Sequence, residues 1–306
     1  DGALVGSGGS VRLLSRLRRH REMYPIIKMH GFQIDADALA EQVYILAALS
    51  RQERNAIPEM NLDRSHSIVG GAVVAHALVS HMEAEGILVS GQGLREGLAR
   101  HPAPLQECEE IRLPDLETVR QESLADLEAR FAPQFSQRGR RRAALAARIA
   151  RVTWQGQHRQ ITGSLECAAL LVDLGNAVDF YNRLNRAASI IVRTDLPGFT
   201  HRESAQVAAI LLEAEAGQLP RRFRESRLLP RDDAMLVRQA ATILLVADEL
   251  ERRLPPDCND TVVQIGRQSG TLTLTTPWWS VVAGPGIQEK WLKTMGEDIH
   301  IGRSET

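Results

Sequence analysis

Apolar residues recur at intervals of three and four through most of the chain, and alternate with polar ones only near its end. The first 100 residues open on "ALVGSGGSVRLLSRLRRHREMY", which reads as a strand end, a glycine-rich turn and a helix. Ser10 is the expected N-cap, followed by Val11, Leu14 and Leu17 at helical spacing. "QIDADALAEQVYILAALS" predicts a second helix with Asp35 or Asp37 near its start. In "SRQERNAI", Ser50 and Glu53 are spaced as a capping box. "SHSIVGGAVVAHALVSHMEAEG" predicts a long helix that contains a glycine pair and has Gly86 near its end. "ILVSGQGLREGLAR" then repeats the order strand, glycine turn, helix.

Pro102, Pro104 and Pro114 mark a linker from His101 to about Asp115. Beyond it, helices are predicted at Glu117–Arg130, Gly139–Thr153, Thr162–Asp173, Asn182–Val192, Arg202–Ala216 and Ala234–Arg253. The tail changes period. "TVVQIGRQSGTLTLTTP" alternates and turns at "QSG" as a hairpin does, "GIQEKWLKTMGED" reads as a short helix, and "IHIG" as a last strand. No repeat at solenoid spacing is present.

A length of 306 residues favours two domains, and 43% hydrophobic content supports real cores. The longest apolar run, Ile68 to Ser80, is too short to cross a bilayer, and no signal-peptide pattern opens the chain. The chain starts at Asp1 rather than methionine, as a fragment or processed product would. Its 37 basic and 38 acidic residues leave a net charge of −1, which gives no global pull toward nucleic acid or membranes. Only Lys28, Lys290 and Lys293 are lysines; the arginine bias suits a high-GC genome first and phosphate binding second. Cys108, Cys167 and Cys258 fit neither a disulfide framework nor a metal spacing, so a reducing cytoplasm and small buried thiols are expected.

Candidate chemistry is confined to a few stretches. "VGSGGS" puts small residues at a strand-to-helix turn, where backbone N–H groups favour phosphate oxygens, although a plain tight turn has the same composition. "VSGQGLREG" has the same form, with Arg95 and Glu96 at a helix start, and "NLDRSHSIVGG" sets Arg64 just before a buried helix. "SQRGRRRAALAARIAR" and "PRRFRESRLLPRDD" read either as polyanion tracks or as wet helix faces. An aromatic content of 4% argues against stacking platforms for single-stranded nucleic acid. No nucleophile elbow or paired-histidine metal spacing occurs, and Asp173, Asp179 and Asp195 lack histidine neighbours.

Taken in order, "GSGGSVRLL", "LSRQERNAIPEMNLDRSHSIVGGAVV", "LVSGQGLREGLA" and "AALLVDLGNAV…RAASIIVRTDLPGFTHRE" resemble the Ppx/GppA family of exopolyphosphatases and guanosine pentaphosphate phosphohydrolases. The resemblance implies an α+β, mostly helical chain. Residues 1–103 would form a partial actin-like (ribonuclease H-like) α/β lobe, 104–257 an HD-like all-α domain, and 258–306 a small α/β cap. It implies water attack on a terminal phosphoanhydride of polyphosphate or guanosine pentaphosphate, assisted by Mg²⁺. The family's glutamate base and its glycine-rich phosphate loop lie in a first lobe that has no counterpart in this sequence, so no catalytic residue is assigned here. The carried-over phosphate-binding positions are Ser7, Gly8, Gly9 and Ser10, with Arg64. Gly8 stands where the family usually has serine, and Arg95 and Glu96 are expected to pack the lobe. In the HD-like segment Val172 precedes Asp173 where the family often has histidine, and Phe180, Leu184 and Arg186 fill later ligand positions, which implies a degenerate site without metal. A homodimer is implied; membranes are not, and nucleic acid is disfavoured. The competing reading is a non-catalytic module that binds polyphosphate or a nucleotide.

Overall fold

The computed structural model describes residues 4–100, 114–255, 257–268, 270–277 and 285–303. The chain divides into two compact units, Asp1–Pro114 and Asp115–Thr306. It is mostly helical with two small mixed sheets, an α+β fold. The proline-rich linker at 101–113 and Cys108 lie outside the described residues.

The first unit contains β1 (Val5–Gly6), α1 (Gly9–Arg21), β2 (Gln33–Asp35), α2 (Ala36–Ala48), α3 (Arg51–Asn55), α4 (Ile68–His81), β3 (Gly86–Val89) and α5 (Leu94–Arg100). β3 is the central strand. It pairs parallel with β1 through Val5↔Leu88 and antiparallel with β2 through Ile34↔Ile87. Leu13, Leu14 and Leu17 of α1, Leu39 and Leu46 of α2, and Ile68, Ala72 and Val79 of α4 close on Phe32, Ile34, Ile87 and Val89. The α1 residues fall at helical intervals and the β3 residues at an interval of two, so a single core satisfies both periods.

Several expectations need correction. Gly8, not Ser10, is the N-cap of α1, and it makes no side-chain cap. Asp35 ends a strand that the helical reading of "QIDADALAEQ" had absorbed, and occupies the N-cap position of α2. α4 stops at His81, and Gly86 begins β3 rather than closing the helix. The Ser50–Glu53 capping box forms as expected.

The second unit contains α6 (Leu116–Phe131), α7 (Ser136–Thr153), α8 (Arg159–Leu171), α9 (Arg183–Ile191), α10 (His201–Ala216), α11 (Arg221–Arg224) and α12 (Arg231–Arg253). β4 (Gln264–Gln268), β5 (Thr271–Thr275), α13 (Pro285–Met295) and β6 (Ile299–Gly302) follow. β4 and β5 form the expected hairpin, and β6 adds parallel to β5. α10 is buried along nearly its whole length among α8, α9 and α12. Its N-terminus carries a full capping box from Thr200 and Glu203. α7 crosses α8 closely at Gly139, where an added Cβ would lie 2.6 Å from the Leu170 carbonyl oxygen.

The predicted helix Thr162–Asp173 ends earlier, at Leu171, and Val172–Ala177 forms a 3₁₀ turn. That turn approaches α9 so closely that a side chain at Gly175 would overlap the Arg183 backbone carbonyl.

The same turn carries Asp173 into a buried ring of charge. Arg142 of α7 pairs with Asp173 at 2.6 Å and with Asp248 of α12 at 2.8 Å. Arg183 of α9 pairs with the same two carboxylates, at 3.1 Å to Asp173. Beside the ring, Glu251 receives Arg138 at 2.9 Å and Arg141 at 2.7 Å. Arg142 is 0% exposed and Asp173 is 2% exposed. Neither earlier reading of "SQRGRRRAALAARIAR" suits these residues: Arg141 and Arg142 are neither a polyanion track nor a wet face, because they point into the bundle to meet carboxylates. Isolated ions there would be prohibitively costly, so closure of the ring is what permits their burial.

Candidate phosphate-binding site

The turn Ser7–Ser10 leaves the carboxyl end of β1 and runs straight into α1. Gly8 adopts φ +105°, a backbone region that side-chain-bearing residues rarely enter, which accounts for glycine at the position where serine would bring a hydroxyl. The first intrahelical bond of α1 runs from the Arg12 N–H to the Gly8 carbonyl at 3.1 Å. Earlier amides in the first turn of a helix have no intrahelical acceptor, and at α1 no side chain caps them. Their donors and the positive end of the helix favour an anion at this place.

Arg64 completes the arrangement. It ends the 3₁₀ turn Leu62–Arg64, which Asn61 caps by accepting from the Asp63 N–H at 2.9 Å. Its guanidinium lies directly over Gly9, in the space a Cβ would need. Arg64 is exposed and forms no salt bridge among the described residues. Arg54 steadies this segment by donating from Nε to the Ser65 carbonyl at 3.0 Å and from Nη1 to the Leu46 carbonyl at 3.1 Å. Ser10 faces Gly71 of α4, where an added Cβ would stand 2.9 Å from the Ser10 hydroxyl oxygen. The glycine pair of α4 therefore has different roles: Gly71 lets α1 approach, whereas Gly70 faces open space.

A second turn lies alongside. Because β1 and β3 are adjacent and parallel, the turn after β3 comes to the same edge of the sheet as the turn after β1. Ser7 donates its hydroxyl to the Gln92 carbonyl at 3.1 Å, and Ser90 donates to the same carbonyl at 2.9 Å. The Gly91 N–H donates to Nδ1 of His30 at 3.2 Å. Arg12 reaches from α1 to the Ser90 carbonyl at 3.4 Å. Crevices at the carboxyl ends of neighbouring strands are the usual ligand sites of α/β sheets.

Arg95 and Glu96 do not pack the lobe as expected: both are exposed. Glu96 turns back to accept from the Gly93 N–H at 2.8 Å. That bond and one from its own backbone N–H hold its carboxyl below the usual carboxylate range.

The structure thus gathers Gly8, Gly9, Ser10, Ser7 and Arg64 at one edge of the sheet. Sequence reasoning passed over Ser90, Gln92, Arg12 and His30. The repeated order of strand, glycine turn and helix was the available signal that two turns would meet. What this edge presents is N–H groups, hydroxyls and guanidinium, a donor set suited to phosphate oxygens.

This donor set does not fit Mg²⁺, which needs carboxylate or phosphate oxygens. In the second unit Asp173, Asp248 and Glu251 cluster, yet guanidinium groups already occupy their oxygens. Among the described residues, no three or more His, Cys, Asp or Glu side chains are grouped so that they could hold a metal ion. Cys167 lies on α8, and burial, reinforced by Glu166, pushes its thiol up to about 12, which makes it a poor nucleophile. No described helix is long and apolar enough to cross a membrane. Residues 3–104 match the model of the Ppx/GppA phosphatase family.

Proposed function

We propose that the first unit is one jaw of a phosphohydrolase that releases terminal phosphate from polyphosphate or guanosine pentaphosphate. The observation that carries this reading is the free guanidinium of Arg64 over Gly9, at the uncapped start of α1. Ser7 to Ser10 and Arg64 would hold the non-bridging oxygens of the terminal phosphate, and Arg12 and Arg54 would keep the two turns and Arg64 in place. The donors described at the two turns do not suit Mg²⁺, which would enter with the substrate or with the opposing lobe. That lobe would also supply the general base and the second phosphate loop. In this reading residues 1–103 are the second actin-like lobe, 104–257 a degenerate HD-like domain and 258–306 a cap, and the molecule is a cytoplasmic homodimer.

The test is titration of the purified chain with polyphosphate at increasing salt. Binding that weakens steeply with salt and is weakened further in Arg64→Ala is expected. Absence of binding at low salt overturns the reading. The geometry also supports a non-catalytic module of the same specificity, because no carboxylate of the two turns is free to act as a base: Glu96 is engaged with Gly93. Phosphate release from polyphosphate or guanosine pentaphosphate, measured with Mg²⁺ on the gene product, separates the two.

A further inference from the structure

The second unit holds a cleft of about 480 Å³ between α6 on one side and α7, α8 and α10 on the other. Its size is that of sites for small organic ligands. At one end Arg120 of α6 closes it by donating to the Gly198 carbonyl at 2.9 Å and pairing with Glu203 at 2.5 Å. The same guanidinium stands 5.0 Å over the Phe199 ring. The interior is apolar, lined by Leu124, Ala143, Leu170, Phe199 and Val207. Arg140 of α7 and Arg159 of α8 also line it and form no salt bridge among the described residues; Arg140 follows Gly139 at the Leu170 end of α8 and senses the buried Glu128, whereas Arg159 opens that helix, roughly 16 Å away along it.

The acidic groups of the cleft are largely accounted for. Glu203 is held by Arg120 and by the Thr200 cap, and Glu117 accepts from Gln121 at 3.0 Å. Glu166 forms no salt bridge among the described residues, and burial raises its carboxyl toward the neutral form against the opposing field of Arg151.

Gly163 gives an independent indication. It sits inside α8, one turn after Arg159 and one turn before Cys167, and it lines the cleft. Glycine is a poor helix former, yet an added Cβ here would meet nothing within 4 Å. No packing reason therefore keeps a side chain away, and what its absence preserves is the open volume of the cleft.

We infer that this cleft binds a small amphipathic anion, an apolar or aromatic body inserted between α6 and α8 with its carboxylate, sulfonate or phosphate head held by Arg159, the lining arginine that no carboxylate engages among the described residues. The site belongs to the helical unit alone and does not depend on the phosphate-binding turn.

The experiment uses 8-anilinonaphthalene-1-sulfonate as a fluorescent probe of the full chain, with decanoate, decanol and inorganic phosphate as competitors. Saturable one-to-one binding is expected, displaced by decanoate but not by inorganic phosphate or decanol. Gly163→Leu should fill the cleft and weaken binding more than tenfold while the circular dichroism melt is kept or raised. Arg159→Ala should lose roughly tenfold or more, the scale of a lost charge-assisted contact. Unchanged probe binding in folded Gly163→Leu overturns the site. Displacement by decanol as effective as by decanoate overturns the anionic head. If Gly163→Leu fails to fold, Ala143→Phe, on the facing wall, serves as the blocking variant, and unchanged binding there has the same meaning.

Discussion

The guanidinium of Arg64 fills the space in front of Gly9 that a Cβ would need, so the two residues are joined by the absence of a side chain. Their separation along the chain hides this. The 3₁₀ turn Leu62–Arg64 and the start of α1 meet only because α1 and α4 share one core.

Replacing Arg64 by alanine should lower polyphosphate affinity by roughly one to two orders of magnitude, the range of about 1.5–3 kcal/mol for a hydrogen bond to a charged group. The side chain is exposed and forms no salt bridge among the described residues, so the melting temperature should stay within a degree or two. Isothermal titration and thermal denaturation on the same preparation check both statements. Loss of the fold instead would reassign Arg64 to structure.

Gly9→Ala tests the relationship itself. The new methyl would displace the flexible end of Arg64 rather than a backbone atom, so the chain should still fold. Affinity should drop about as far as in Arg64→Ala, and the double variant should be no worse than either single one, the non-additivity of two residues acting as a unit. Additive losses would show that Gly9 and Arg64 contribute separately.

In the second unit, Arg142→Ala removes one guanidinium from between Asp173 and Asp248. Breaking a buried pair by deleting one partner typically costs about 3–5 kcal/mol. Urea unfolding followed by circular dichroism should show that shift in midpoint with an unchanged slope. A shift below about 1 kcal/mol would mean that water reaches the ring.

The ring also sets a direction for acid. Burial pushes the Asp173 carboxyl up, but Arg142 and Arg183 more than reverse this and hold it below the usual range. A group with a depressed folded value contributes stability above its unfolded value, near 3.9, and loses it as pH falls through the folded value. Glu203, buried beside Arg120 and bonded to Thr200, shifts the same way. Melting temperature should therefore fall as pH drops below about 4, and Asp173→Asn should flatten that slope while lowering stability at neutral pH. A slope in Asp173→Asn as steep as in the parent would remove Asp173 from the account.

Gly175→Ala should destabilise by about 1–3 kcal/mol, the usual range for overpacking. The added methyl meets the Arg183 carbonyl, which is backbone and cannot swing aside. Because Arg183 is also a member of the ring, combining Gly175→Ala with Arg142→Ala should cost less than the sum of the two.

How much of this was legible in the sequence differs by element. The helices of the second unit and the tail hairpin were readable within a few residues, because each buries one periodic face. β2 was not: "QID" is short and leads without a break into α2, so helical spacing absorbed it. The turn Ser7–Ser10 and Arg64 were identified by resemblance, but their meeting depends on packing between α1 and α4, which no local pattern encodes. The arginines of α7 misled for a general reason. A charged run reads as surface unless its counter-charges are known, and Asp173, Asp248 and Glu251 lie far along the chain on other elements. The close approach at Gly175 was hidden in the same way, since only the position of the Arg183 carbonyl shows why glycine stands there.

The pairing of β1 with β3 also sets a timetable for synthesis. Ser7 and its acceptor Gln92 are 85 positions apart, and β1 is parallel to β3, so no local hairpin can hold the first turn in place beforehand. At roughly 5–20 residues per second, the nascent "GSGGS" segment waits on the order of 5–15 s before a strand exists to receive it. During that interval a cell's phosphate-rich ligands meet only a loose glycine segment. Affinity would arise abruptly, when residue 89 has left the ribosome and the sheet closes.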